Sequence, residues 1–274
     1  MLTKLEKTVR QELTNRRREK KKILPHPNDG EGLRVLREVA KKGYSVLSNH
    51  RTPEECAIFR SEIDRLCEVY REEIWRGPLD SDHRIFGSNH LSDPISSMWE
   101  DPFLRRIIEN YERSTKIVGF TLAARLEYRP GNPGSGDGWH RDRADAKQTK
   151  AMLYVSDTSA ESGPFQYIEG SHRPVKIINE MVRSGFEHNQ NRFTNEEIDR
   201  IIARDPGLLK TFTAKAGTVI LFDSRGIHRG SPISKGNRYA LTNYCWFDME
   251  IPEHIGKLIP KRKAHPKTES EALI

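Results

Sequence analysis

The chain has 274 residues, 35% hydrophobic and 31% charged, with a formal net charge of +7, ten histidines and three cysteines. That length allows one elaborated domain or two small ones, and a core that needs no staples. The composition excludes a disordered or fibrous chain, and no apolar run reaches the ~18 residues of a membrane span. The cysteines (Cys56, Cys67, Cys245) have no metal-ribbon or disulfide spacing, and the basic N-terminus lacks the apolar stretch of a signal peptide. A soluble cytoplasmic protein is therefore expected.

Residues 1–22 hold nine Lys/Arg and three Glu, so this tail carries +6 and the rest of the chain only +1. Nucleic-acid binding by the main domain is therefore not expected. Leu2, Leu5, Val9 and Leu13 form one stripe at helical spacing, which predicts a basic helical arm over residues 1–30 that ends in the breakers Pro25, Pro27 and Gly30. A short helix over 32–41 is closed by Gly43, and a strand follows at 44–47. Thr52-Pro53-Glu54-Glu55 is a helix start with a capping box. It opens a helix to about Glu73, with Cys56, Phe59, Ile63, Leu66, Cys67 and Tyr70 as its buried stripe.

Arg84–Gly87 reads as a strand before a polar loop, and Asp101-Pro102 opens a helix to about Arg113. Strands are then predicted at 118–129, 149–156, 165–168, 211–213, 217–223 and 239–247. A helical insertion is predicted at about 175–210, where Thr194 and Glu197 form a second capping box. Helices first and strands second predict an α+β chain with a mainly β core, a sheet or barrel of antiparallel strands. The domain is expected over 31–250, with a polar tail at 251–274 that is loosely held from about Pro260.

Four glycines and two prolines lie between Pro130 and Gly138 and deliver the chain to Trp139-His140-Arg141-Asp142. On an extended strand His140 and Asp142 project to one face. His-x-Asp alone is a weak signal. Its standing rises with His228, which follows an apolar β-branched strand between Gly226 and Gly230. Two histidines and a carboxylate form the facial triad of non-haem iron sites, which leaves coordination positions open for chemistry. Arg238, ten residues after His228 at the start of the next strand, is suited to hold a carboxylate by paired hydrogen bonds. The set fits an iron enzyme whose cosubstrate is a dicarboxylic keto acid.

These residues, with Ser162-Gly163-Pro164-Phe165, Gly170-Ser171-His172, Ala216-Gly217-Thr218 and His228-Arg229-Gly230-Ser231, resemble the phytanoyl-CoA dioxygenase-like family of Fe(II)/2-oxoglutarate oxygenases. The resemblance covers roughly residues 30–250. It implies a double-stranded β-helix, a jelly-roll barrel with flanking helices. It also implies iron(II) bound by His140, Asp142 and His228, and 2-oxoglutarate anchored by Arg238, with O2 as second cosubstrate. The products would be a hydroxylated small molecule, succinate and CO2. Halogenating relatives have a small residue at the position of Asp142, so hydroxylation is favoured here.

Arg84 is a candidate second cation near the cosubstrate. Arg125, Met152 and Tyr154 are substrate-pocket candidates; Lys150, Met152 and Tyr154 share one face of their strand, and Ala151, Leu153 and Val155 the other. A cluster of Arg84, Arg125, Arg141, Arg143, Arg225 and Arg229 at the mouth would favour an anionic substrate. Two other readings remain open: a ligand-binding member of the fold without turnover, and a polyanion or membrane binder acting through the basic arm. The oligomeric state is left open.

Overall fold

The computed structural model describes residues 29–142, 148–187 and 190–263, together with Glu6. The body of the expected basic arm and the end of the C-terminal tail lie outside the described residues. Helix α1 (Gly30–Lys42) is capped by the Asp29 side chain and closed by Gly43, whose φ of 97° is left-handed. Strand β1 (Tyr44–Leu47) follows. Helix α2 (Pro53–Val69) starts with the anticipated capping box: Glu55 N donates to Thr52 Oγ1 at 3.2 Å, and Thr52 N to the Glu55 carboxylate at 2.8 Å. It ends at Tyr70, short of the predicted Glu73, because the chain turns there to bury Ile74 in the same core as the Tyr70 ring.

Strand β2 (Trp75–Arg76) and β3 (Asp82–Ile85) form a small hairpin. The predicted polar loop after Arg84–Gly87 is instead two helices, α3 (Ser88–Leu91) and α4 (Asp93–Trp99). Ser92 caps α4, Pro94 sits in its first turn, and Ile95 and Met98 are buried. Helix α5 (Pro102–Glu112) is capped by Asp101. The strands are β4 (Ile117–Glu127), β5 (Thr149–Tyr154), β6 (Phe165–Ile168), β7 (Leu209–Phe212), β8 (Val219–Asp223), β9 (His228–Gly230) and β10 (Asn237–Phe247). The insertion supplies α6 (Pro174–Ser184) and α7 (Asn195–Arg204), and a short α8 (Glu253–Gly256) lies in the tail.

Seven strands form one antiparallel sheet in the order β1-β8-β5-β10-β4-β3-β2, and three form a second in the order β7-β6-β9. Side-chain alternation splits the large sheet's two faces between separate cores. Ala151, Leu153, Val219, Leu221 and Leu241 pack against α1, α2, α4 and α5. Their neighbours Met152, Tyr154, Ile220, Phe222 and Ala240 face Phe165 and Tyr167 of the small sheet. The result is the expected α+β jelly roll: two sheets face to face, with helices on the outer side of the larger one. The residues from Pro260 are better held than predicted as far as they are described. Lys263 N donates to the Tyr70 hydroxyl at 3.0 Å, and Arg262 pairs with Asp93 at 3.0 Å. No helix among the described residues is long and apolar enough to cross a membrane.

Candidate metal centre

His140 and His228 are direct cross-strand partners. Each donates its backbone N–H to the other's carbonyl at 2.9 Å, so both side chains stand on one face. Their rings lie 4.4 Å apart. Each imidazole Nδ1 sits 2.8 Å from the carbonyl of the glycine two residues earlier, Gly138 and Gly226 respectively. A carbonyl only accepts, so Nδ1 carries the proton and the Nε2 lone pair faces the cavity. The same Gly-x-His unit thus occurs twice, once in the glycine-rich loop and once at the start of β9.

Asp142 comes in below, its N–H held by the Ser224 carbonyl at 3.1 Å. Its carboxylate lies 3.9 Å from His140 Nε2 and 3.6 Å from His228 Nε2. One ligand atom from each of the three residues lies within 4.8 Å of the others. Asp142 Oδ2 is buried, and its partner is Lys150 Nζ, at 2.7 Å. Burial holds both histidines below their usual pKa against the pull of Asp142; the charge of His228 adds to the effect at His140, which falls to about 3, and that of Lys150 adds to it at His228. Burial alone would raise the Asp142 pKa, but Lys150 and the two imidazoles outweigh it and hold the group well below the carboxylate range. At neutral pH the site therefore presents two neutral imidazoles and one carboxylate. This donor set suits a divalent first-row metal with positions left open.

The loop and the insertion build this geometry together. Gly136 approaches so closely that a Cβ there would collide with the His140 imidazole, and its φ of +89° is itself left-handed. Residues 190–193 run beside the ligand loop: Arg141 N donates to Asn191 O at 2.8 Å and Phe193 N to Trp139 O at 3.0 Å. Trp139 packs with Phe186, Phe193, Ile198 and Ile201 of the insertion. Nothing in the sequence indicated this clamp.

A cavity of about 160 Å³ opens beside the three ligands. Arg238, Arg84 and Met152 line it. Arg238 is 4% exposed; it donates to the Gly163 carbonyl, and its Nε has no partner. Arg84 donates to Asp82 at 2.6 Å and to Ser135 Oγ at 3.2 Å, and lies over the Trp75 ring. Tyr154 does not line the cavity: its hydroxyl donates to the Phe212 carbonyl and accepts from Phe165 N, so it closes the core between the sheets. Arg125 is likewise outside the cavity. It projects from the other face of β4, towards α2, where Asp64 and Glu127 each hold it at 2.9 Å.

The expected arginine cluster also disperses. Arg141 donates to the Gln190 carbonyl, Arg225 pairs with Asp223, and Arg229 stacks on Trp139; Arg143 lies outside the described residues. His172 is structural, with its Nε2 at the Ala40 carbonyl. Lys150 lines the cavity beside Met152, whose strand face it was expected to share, and so do three residues that the sequence did not single out, Arg192, Ser135 and Tyr244. Arg192 carried no signal.

A jelly roll with two histidines and an aspartate at one rim, and a buried arginine across the cavity, defines a non-haem metal oxygenase of the keto-acid type. The description "Phytanoyl-CoA dioxygenase (PhyH)" matches residues 39–240, and the chain belongs to that family. It is an Fe(II)/2-oxoglutarate-dependent dioxygenase. The chain is 24% identical over 233 residues to the ectoine dioxygenase of Nocardia farcinica, covering 74% of both chains. It is 23% identical over 239 residues to that of Bordetella parapertussis, covering 78% of this chain and 76% of the relative. Among solved structures, EctD from S. alaskensis superposes with a TM-score of 0.60 at 18% identity over 81% of this chain and 80% of that one. The epimerase SnoN, in complex with Fe3+, alpha ketoglutarate and nogalamycin RO, gives 0.60 at 16% over 79% and 84%.

Proposed function

We propose that the chain hydroxylates a small polar molecule, with iron(II) held by His140, Asp142 and His228 and the distal carboxylate of 2-oxoglutarate held by Arg238. The observation that carries this assignment is Arg238: a guanidinium 4% exposed, with an unpartnered Nε, on the wall of the cavity that also holds the triad. Among the described residues no carboxylate lies within ion-pair distance of it. A buried charge of this kind is retained where a ligand completes it. Arg84, tethered by Asp82 and donating to Ser135, supports the same end of the cosubstrate.

When bound, iron and keto acid supply the oxidising power, with succinate and CO2 as by-products. The protein's own part is placement. The two Nδ1–carbonyl bonds hold the imidazoles in register, and Leu122, Met152 and Phe165 give the cavity apolar walls. Ectoine, the compound in the relatives' name, is the first substrate to test. The three free, buried cysteines support a reducing compartment such as the cytoplasm.

Purified protein given iron(II) and 2-oxoglutarate without oxygen should develop a weak visible charge-transfer band. His140→Ala should abolish it. A band that survives that substitution, or none in the wild type, refutes the assignment.

A further inference from the structure

The cavity's charges do not balance. Arg84, Lys150, Arg192 and Arg238 line it, against the single carboxylate of Asp142. Arg84 is neutralised by Asp82, on which it places both Nε and Nη2, at 3.0 and 2.6 Å. Lys150 is 2% exposed, and the carboxylate beside it is Asp142, at 2.7 Å; the face of Tyr244 lies 3.6 Å away. Arg192, at the mouth, donates to the carbonyls of Gly136 and Asp137 and has no carboxylate at ion-pair distance among the described residues.

The proposed function adds a divalent metal and a dianionic keto acid. The distal carboxylate of the keto acid is assigned to Arg238, and its other carboxylate together with Asp142 offsets the metal, so Asp142 then has to serve both the metal and Lys150. One positive charge is left inside the cavity at Lys150, and a second at the mouth on Arg192. A desolvated ammonium without a full counter-charge is costly unless an anion meets it.

We propose that Lys150, with Arg192 at the entrance, binds a negatively charged oxygen group of the substrate, a carboxylate or a phosphate, beside the metal. This rests on the iron and 2-oxoglutarate reading above. The lysine then serves in turn: it neutralises Asp142 before the metal arrives, and it faces the substrate's anion afterwards. The apolar walls at Met152 and Leu122 accommodate the uncharged part of the molecule.

The test uses protein loaded anaerobically with iron(II) and saturating 2-oxoglutarate, its charge-transfer band recorded first. Methylphosphonate, at a pH above its second ionisation so that it is a compact dianion, is then titrated in and its 31P relaxation followed, since the paramagnetic metal accelerates relaxation of a nucleus held nearby. Its neutral dimethyl ester is the control. The wild type should relax the dianion and not the ester. Lys150→Met should keep the band and bind the dianion about ten-fold more weakly, the effect of one buried charge-assisted contact, and Arg192→Gln should bind it about three-fold more weakly, as a partly exposed charge would.

Equal relaxation in the wild type and Lys150→Met overturns the proposal, as does relaxation of the ester, or none of the dianion while the band is present. A Lys150→Met protein without the band also overturns it, because the lysine would then belong to the metal ligand alone. Absence of the band in the wild type is a different result and refutes the iron reading itself.

Discussion

Arg238→Met separates two properties that a structural arginine would lose together. The guanidinium is buried and donates to the Gly163 carbonyl, with no carboxylate at ion-pair distance among the described residues. Burying an ion costs several kcal/mol, and a neutral side chain of similar volume recovers about 1–4 kcal/mol. The lost hydrogen bond takes back about 1 kcal/mol. Without cosubstrate the variant should therefore be more stable, by up to about 3 kcal/mol. For a domain of this size that is a rise in Tm of up to several degrees, at about 2–4 °C per kcal/mol.

With cosubstrate the sign reverses. Loss of a buried charged pair costs about 3–5 kcal/mol, which is about 100-fold or more in affinity. At 100 times the wild-type Kd, 2-oxoglutarate should stabilise the wild type by about 2.7 kcal/mol and the variant by about 0.4 kcal/mol or less. Scanning calorimetry with and without 2-oxoglutarate, in the presence of iron(II) and the absence of oxygen, reads both effects. A variant that is less stable than the wild type when free refutes the reasoning, as does one that gains as much from the cosubstrate.

Other substitutions test the frame around the site. Gly136→Ala should lower metal affinity at least ten-fold, because its Cβ displaces the His140 imidazole; a metal titration at unchanged helical circular dichroism checks it. Phe193→Ala should cost about 3–5 kcal/mol within the insertion and raise amide exchange at Arg141, whose N–H is held by the Asn191 carbonyl two residues before Phe193, and at residue 193 itself, whose N–H is held by the Trp139 carbonyl; unchanged exchange there would detach the insertion from the site. Asp101 caps α5 and is held below its ordinary pKa: burial works against the charge, and His50, the Leu104 N–H and Arg51 together outweigh it. Its folded pKa lies below the unfolded value, so its contribution is complete above about pH 4 and is lost as pH falls through the folded pKa. Asp101→Asn should thus cost about 1–3 kcal/mol at pH 7, and urea unfolding should show that difference shrinking near pH 3.

What could be read from sequence was whatever local chemistry dictates. The capping boxes at Thr52 and Thr194 and the left-handed stop at Gly43 are signals confined to a few residues, and the helix ends they mark stand where expected. Strand β9 is three residues long and exists only through its pairing with β6 and His140, which no local pattern encodes. Helix α4 did carry a cap, Ser92, and a proline in its first turn, but its few apolar residues are diluted among polar ones. Arg125 shows the limit of period two: alternation sorts β4 into two faces without saying which one meets the helices and which the cavity. The repeated Gly-x-His unit was in plain view, but its meaning depends on a carbonyl turning back to the ring two residues on.

The reciprocal backbone bonds between His140 and His228 have a consequence outside catalysis. The residues that would grip the metal also form the seam between the glycine-rich loop and β9. Ligand binding confined to the folded state is folding free energy, so an ion here acts as a clasp as well as a reagent. A cell short of iron would then lose more than turnover. The seam would open more often, proteases would find the loop, and the amount of protein would follow the iron supply.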